Sequence, residues 1–168
     1  MSFSIHDAAV PPVLQILNAM SAILDKAARH CEARKIDPAV LLAFRLAPDM
    51  FPLTRQIQIM TDQAKGMAAR LTGSEVPSWP DSETSIEELK ARIARAATFV
   101  KGFTPAQFAG AEDRQIVLKV GGNEMNFTGR QYLVNFVFPN FYFHATTAYD
   151  ILRHCGVEIG KRDFLGVA

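Results

Sequence analysis

His144 stands inside NFYFHATTAYDILRHCG, residues 140–156, and of the four histidines it alone lies in a long apolar stretch. An imidazole there can be a metal ligand, a general base or a core residue. Projected onto a helix, Val137, Phe141, His144, Ala148, Ile151 and Cys155 fall on one stripe, so the ring faces inward with the aliphatic side chains. Asn140 is four residues earlier, turned about 40° around the axis and one turn along it. The two can therefore touch the same small ligand or the same ion. Pro139 immediately precedes them; it denies the Asn135 carbonyl its normal partner and can bend the helix. A kink beside two inward polar groups predicts a partly polar pocket. Gln56 flanks the apolar seam of the second long helix, beside Leu53 and Met60. Sites in bundles are built from side chains on facing helices, so Gln56, Asn140 and His144 form the candidate ligand pocket. No catalytic residue is assigned.

The other reactive side chains read as structural. His154 is ten residues from His144, about 15 Å along a straight helix, so the two cannot share an ion; it complements the helix dipole instead. Cys155 lies on the apolar stripe at a helix C-terminus, where the dipole disfavours a thiolate, and reads as inert packing. Arg45 and Asp49 in FRLAPDM read as an ion pair tying a connector down, ahead of the lining of a pocket mouth. His6 and His30 sit at opposite ends of the first helix and suggest no site.

Four helical seams must position these residues. The first runs from about Ile5 to Arg34, with Val13, Leu17, Met20, Leu24 and Ala27 as its stripe and Leu14 and Ile16 beside it. Pro11 and Pro12 either open this helix or kink it. Asp37 before Pro38 caps a short turn in the connector. The second long helix, from about Pro52 to Leu71, repeats Leu53, Ile57, Met60, Ala64, Met67 and Leu71 as a bundle seam, with Gly73 as its stop. SEVPSWPDSETS is a surface loop. Thr84 with Glu87, and Ser85 with Glu88, give capping signals for the third helix, whose buried face is Ile86, Leu89, Ile93, Ala97 and Val100, ending at Gly102. QIVLKV, the turn GGN and EMNF then read as a β-hairpin. Thr128 caps a fourth helical stretch to Cys155, interrupted at Pro139, with Gly156 as its stop. The fold class is an all-α four-helix bundle with a small β-hairpin inserted before the last helix, one domain over residues 1–168.

Composition bounds the partners. The chain has 168 residues, 49% apolar and 21% charged, and its 18 Lys and Arg nearly balance 17 Asp and Glu. That balance offers no basic stripe to displace counterions, so no nucleic acid is expected. No run reaches about 18 uninterrupted apolar residues, so no membrane span is expected. The N-terminus MSFSIHDAAVPP does not read as a signal peptide. Two cysteines without metal-type spacing predict a reducing, cytoplasmic location. Phe136, Phe138, Phe141, Tyr142 and Phe143 surround the fourth helix. They predict burial on more than one side, under the hairpin or in a homodimer, and a homodimer is the expected assembly.

The four helices, with His144 twelve residues before Gly156 (H-x11-G), resemble the DinB/YfiT-like superfamily of metalloenzyme-type bundles over nearly the whole chain. RLAPDMFPL and the ending AYDILRHCGVEIGKRDFLG resemble more specifically an uncharacterised, domain-of-unknown-function branch of it. In that superfamily one histidine of the second helix and an H-x3-H of the fourth typically bind a divalent metal. By position His144 matches the last of the three, Asn140 stands where the first of the pair would be, and Gln56 looks like the second-helix position. Two amides in place of imidazoles are weak donors to Zn²⁺ or Ni²⁺. The resemblance therefore implies metal-binding ancestry with a degraded site: no cofactor is expected, and at most a weakly bound divalent metal. The leading expectation is a small-molecule-binding bundle. The alternatives are a metal-dependent, thiol S-transferase-like enzyme and a non-catalytic homodimeric interaction protein.

Overall fold

The computed structural model describes residues 4–167. Helix α1 spans Ile5–Arg34, capped by Ser4 and carried through Pro11 and Pro12 without ending. The short α2, Pro38–Leu42, has Asp37 as its N-cap. Helix α3 is Leu53–Thr72 and ends on Gly73 in the left-handed region. Helix α4 is Ile86–Lys101. A 3-10 turn, Pro105–Phe108, leads to β1, Gln115–Val120, and β2, Asn123–Thr128. These strands pair antiparallel from Gln115↔Thr128 to Val120↔Asn123. The chain continues through α5, Gly129–Gln131, a π-helical segment, Tyr132–Val137, and α6, Phe138–His154, before the short α7, Lys161–Phe164.

The heptad-like seams bury as their spacing requires. All six seam residues of α3 are sealed from solvent, as are Val13, Leu17, Met20, Leu24 and Ala27 on α1. On α4 the buried stripe uses Ala96, with Ala97 at its edge. One 18-residue window of α1 is apolar enough for a membrane span, yet half of it is buried within the bundle. Ser85 alone caps α4, because Glu88 closes back on both Thr84 and Ser85 and leaves Glu87 out.

Helices α3 and α4 run in the same direction, which two adjacent helices can do only through a long crossover. Residues 73–85 supply it. They return along α3 as an extended strap: Trp79 lies against Lys65, Asp81 pairs with Arg55, and Glu83 accepts from Gln58 at 2.9 Å. The segment expected as a surface loop thus covers a polar face of α3 and buries Trp79 to 8% exposure. Pro77 and Pro80 suit an extended path, because each fixes φ and needs no donor.

Arg92 on α4 locks the strap. Arginine has five N–H bonds; four of them donate hydrogen bonds, and Asp81 adds an ion pair. Nε donates to Thr61 Oγ1 (2.8 Å), one terminal nitrogen to the Pro80 carbonyl and Glu83 (both 2.9 Å), and the other to Asp62 (3.0 Å), with Asp81 paired to that same nitrogen at 2.9 Å. Burial pushes the Glu83 carboxyl up, but the hydrogen bonds from Arg92 and Gln58 outweigh it and hold the group below the ordinary carboxylate value.

The hairpin and the last helix meet the bundle at Gly129. A Cβ there would overlap the Ala111 carbonyl, so only glycine allows the approach. The helix break expected at Pro139 is a widening immediately before it. Phe138 N–H reaches Leu133 O, five residues back, and the Asn140 side-chain amide donates to the Phe136 carbonyl at 2.7 Å.

Arg92→Met should cost about 3 kcal/mol, the low end for a broken buried pair, because Asp62 and Asp81 keep side-chain exposures of 34% and 36%. Denaturant midpoints measure this, and Arg92→Lys should rescue little, since one ammonium cannot reach five acceptors. Because the folded Glu83 is the stronger acid, its contribution is complete above the unfolded carboxylate value and lost as pH falls through the folded one. The variant should show a weaker acid dependence, because of the side-chain hydrogen bonds to Glu83 only that from Gln58 remains.

Candidate functional site

Two of the three candidate residues meet. Gln56, in the first turn of α3, accepts a hydrogen bond from His144 at 2.6 Å between Oε1 and Nδ1. The amide orientation is fixed independently, because Gln56 Nε2 donates to the Phe51 carbonyl at 2.9 Å. An amide oxygen only accepts, so His144 carries its proton on Nδ1 and its Nε2 keeps a lone pair. The ring is 8% exposed, and Nε2 is not among the unpartnered atoms sealed from solvent in the described residues. Burial pushes the His144 pKa down, and the nearby Arg55 cation lowers it further. The imidazole is therefore neutral at physiological pH, tautomer-locked and open on one nitrogen.

Asn140 is half-buried and gives its amide to the Phe136 carbonyl rather than to His144. It supplies a donor in the turn that Pro139 leaves one short. Aromatic rings flank the Gln56–His144 region. Phe143 meets the His144 ring edge-on at 5.3 Å, and Phe51 lies under the Arg55 guanidinium at 6.0 Å.

A cleft does open between α3 and the last helical segment, but lower on α3. It holds about 350 Å³ and is lined by Asp62, Lys65, Arg70, Val117, Lys119 and Phe136, among others, and not by Gln56, Asn140 or His144. Neither this cleft nor the Arg92 cluster follows from apolar periodicity. The signals that could have found them are a charged residue within the Leu89–Ile93 stripe and a glycine, Gly66, in the middle of α3.

The remaining reactive residues are structural. Burial pushes the Cys155 thiol up, with a further push from Cys31. His154, in the last turn of α6, packs against Phe44 at 5.6 Å. Arg45 donates to the Met50 carbonyl at 3.2 Å, and among the described residues it forms no ion pair with Asp49. No group of three or more His, Cys, Asp or Glu side chains in the described residues converges as a metal-binding cluster.

This arrangement has a close counterpart. A crystal structure described as a DinB family member from Shewanella denitrificans superposes with a TM-score of 0.91, at 45% sequence identity, over 97% of this chain and 92% of that one. No curated protein matches the chain. The family model described as a domain of unknown function, DUF1993, matches residues 5–165. A bundle with this crossover strap and late hairpin, matched along almost its whole length, belongs to the DUF1993 family and has the DinB fold.

Proposed function

We propose that this chain is a small-molecule-binding bundle that recognises its ligand through the neutral imidazole of His144 and holds no transition metal. The carrying observation is the 2.6 Å hydrogen bond between His144 Nδ1 and Gln56 Oε1. Two ligands of one tetrahedral Zn²⁺ stand ~2.0–2.1 Å from the ion, which keeps them roughly 3.3 Å from each other. Gln56 and His144 are closer than that and share a proton instead. The third position, Asn140, has its amide turned to the Phe136 carbonyl. One imidazole with two engaged amides does not fit Zn²⁺ or Ni²⁺. A divalent ion could reach only Nε2, backed by water, and would be held weakly. The enzyme alternative, a thiol S-transferase-like activity, gains nothing from this donor set.

The same groups suit a ligand with one N–H or O–H donor on an apolar body. Nε2 accepts the donor, Gln56 and the Phe51 carbonyl hold the ring, and Phe143 and Phe51 flank the pair. Their exposure, 56% and 54%, also favours a second reading, in which a homodimer covers both aromatics. Sedimentation of wild type against Phe143→Glu tests it: a dimer sealed there should dissociate.

Elemental analysis of untagged protein should find no stoichiometric Zn²⁺ or Ni²⁺; near-unit occupancy lost in His144→Ala would overturn the donor-set argument. Gln56→Leu should cost roughly 1–3 kcal/mol by stranding the Nδ1 proton, and the double change Gln56→Leu with His144→Phe should cost less than the sum of the singles. Asn140→Leu with His144→Phe should be additive within about 0.5 kcal/mol. Because burial lowers the folded pKa of His144, the unfolded state binds the extra proton. Stability should therefore decline as pH falls below the ordinary histidine value and on through the folded one. Midpoints at about pH 8 and about pH 5 should differ less in His144→Phe than in wild type.

A further inference from the structure

We infer that the cleft between α3 and β1 is a second, separate binding site, for a small organic anion: a carboxylate or phosphate carried on an apolar body. Its α3 lining lies six to fourteen residues beyond Gln56, roughly 9–21 Å along the axis, and neither Gln56 nor His144 lines it. Lys65, Arg70 and Lys119 line it against a single carboxylate, Asp62. That carboxylate is already engaged, by Lys65 at 2.8 Å and by Arg92 at 3.0 Å. The cleft therefore carries an excess of positive charge in a chain that is otherwise nearly balanced.

Arg70 is the group built to bind. One terminal nitrogen donates to the Tyr132 hydroxyl at 3.0 Å, and the guanidinium lies over that ring at 5.9 Å. Tyr132 is itself fully buried, so the anchor is rigid. Among the described residues the other four N–H bonds of Arg70 have no acceptor. A planar fork with free donors, held by one edge, matches a carboxylate or phosphate. Gly66 makes the pose possible, because a Cβ at that position would collide with the Arg70 guanidinium. Glycine is a poor choice inside a helix, and this contact gives it a reason. Lys65 is nearly buried, with its ammonium 4.6 Å from the Trp79 ring. Val117 and Phe136 supply apolar wall, and about 350 Å³ is at the lower end of ligand-sized pockets.

Titration calorimetry and thermal shift with phenyl phosphate, benzoate and inorganic phosphate test this, against sodium chloride at matched ionic strength. An organic anion should bind saturably and more tightly than inorganic phosphate, and comparison of phenyl phosphate with benzoate identifies the headgroup. Arg70→Gln should weaken binding about tenfold, the loss of a charge-assisted hydrogen bond. Gly66→Ala should weaken it as well while leaving the ligand-free melting temperature unchanged or raised, since alanine favours the helix. That separation distinguishes a binding role for Arg70 from a packing role. His144→Phe should bind these probes like wild type. No saturable effect beyond the salt control overturns the inference, as does affinity unaltered in both Arg70→Gln and Gly66→Ala. Equal affinity for inorganic phosphate overturns the organic class. Binding lost only in His144→Phe would overturn this site while supporting the His144 reading.

Discussion

The satisfied guanidinium of Arg92 is the constraint on which the rest of the bundle rests. Four of its N–H bonds meet acceptors on α3 and on the strap, the Pro80 backbone included, and Asp81 of the strap adds a countercharge. A buried cation is costly unless every donor and every countercharge is matched, and here the match also fixes topology. With the strap pinned back along α3, α4 starts beside the N-terminal end of α3 and runs parallel to it. The polar residues Gln58, Thr61 and Lys65 can then be buried on α3, because Gln58 meets Glu83 of the strap, Thr61 meets Arg92 of α4, and Lys65 has Asp62 beside it and Trp79 of the strap against its ammonium. The opposite side of α3 is left for α6, and there Gln56 meets His144.

The last helical stretch shows how one proline is absorbed. Pro139 removes a backbone donor, and the turn before it widens to π-type spacing. Asn140 returns a donor to the Phe136 carbonyl from its side chain. This gives Asn140 a local, structural reason to be an amide, and it takes that amide away from His144. The imidazole is then held from across the bundle rather than from its own helix. That geometry yields one tautomer and one open nitrogen, with a depressed pKa caused by burial and by Arg55.

The consequence is chemical: an amide oxygen accepting from Nδ1–H makes Gln56 and His144 a hydrogen-bonded pair. The Phe51 carbonyl completes the chain of bonds by fixing the amide. Positive charge gathers elsewhere on α3, around Arg70, where Gly66 clears the space and Tyr132 supplies the anchor.

What the sequence determined by itself was whatever depends on local periodicity and backbone chemistry. The stripes of α1 and α3, the Asp37 and Ser85 caps, the stop at Gly73 and the hairpin from Gln115 all follow from residue spacing, because a helix or strand buries every residue of one face. The inward position of His144 was legible for the same reason. Tertiary structure alone decided its partner. Asn140 stood one turn away on the same helix and Gln56 on a facing helix; the Asn140 amide goes to the Phe136 carbonyl, and Gln56 meets the imidazole. It also decided that a proline-rich connector would be a strap buried around Trp79, and that Arg92 would sit in an apolar stripe. Both depend on acceptors brought in from distant segments, which no periodicity records. The Arg70 cleft is of the same kind: a glycine in mid-helix marks that something comes close, and only the packing of α3 against Tyr132 and β1 says what.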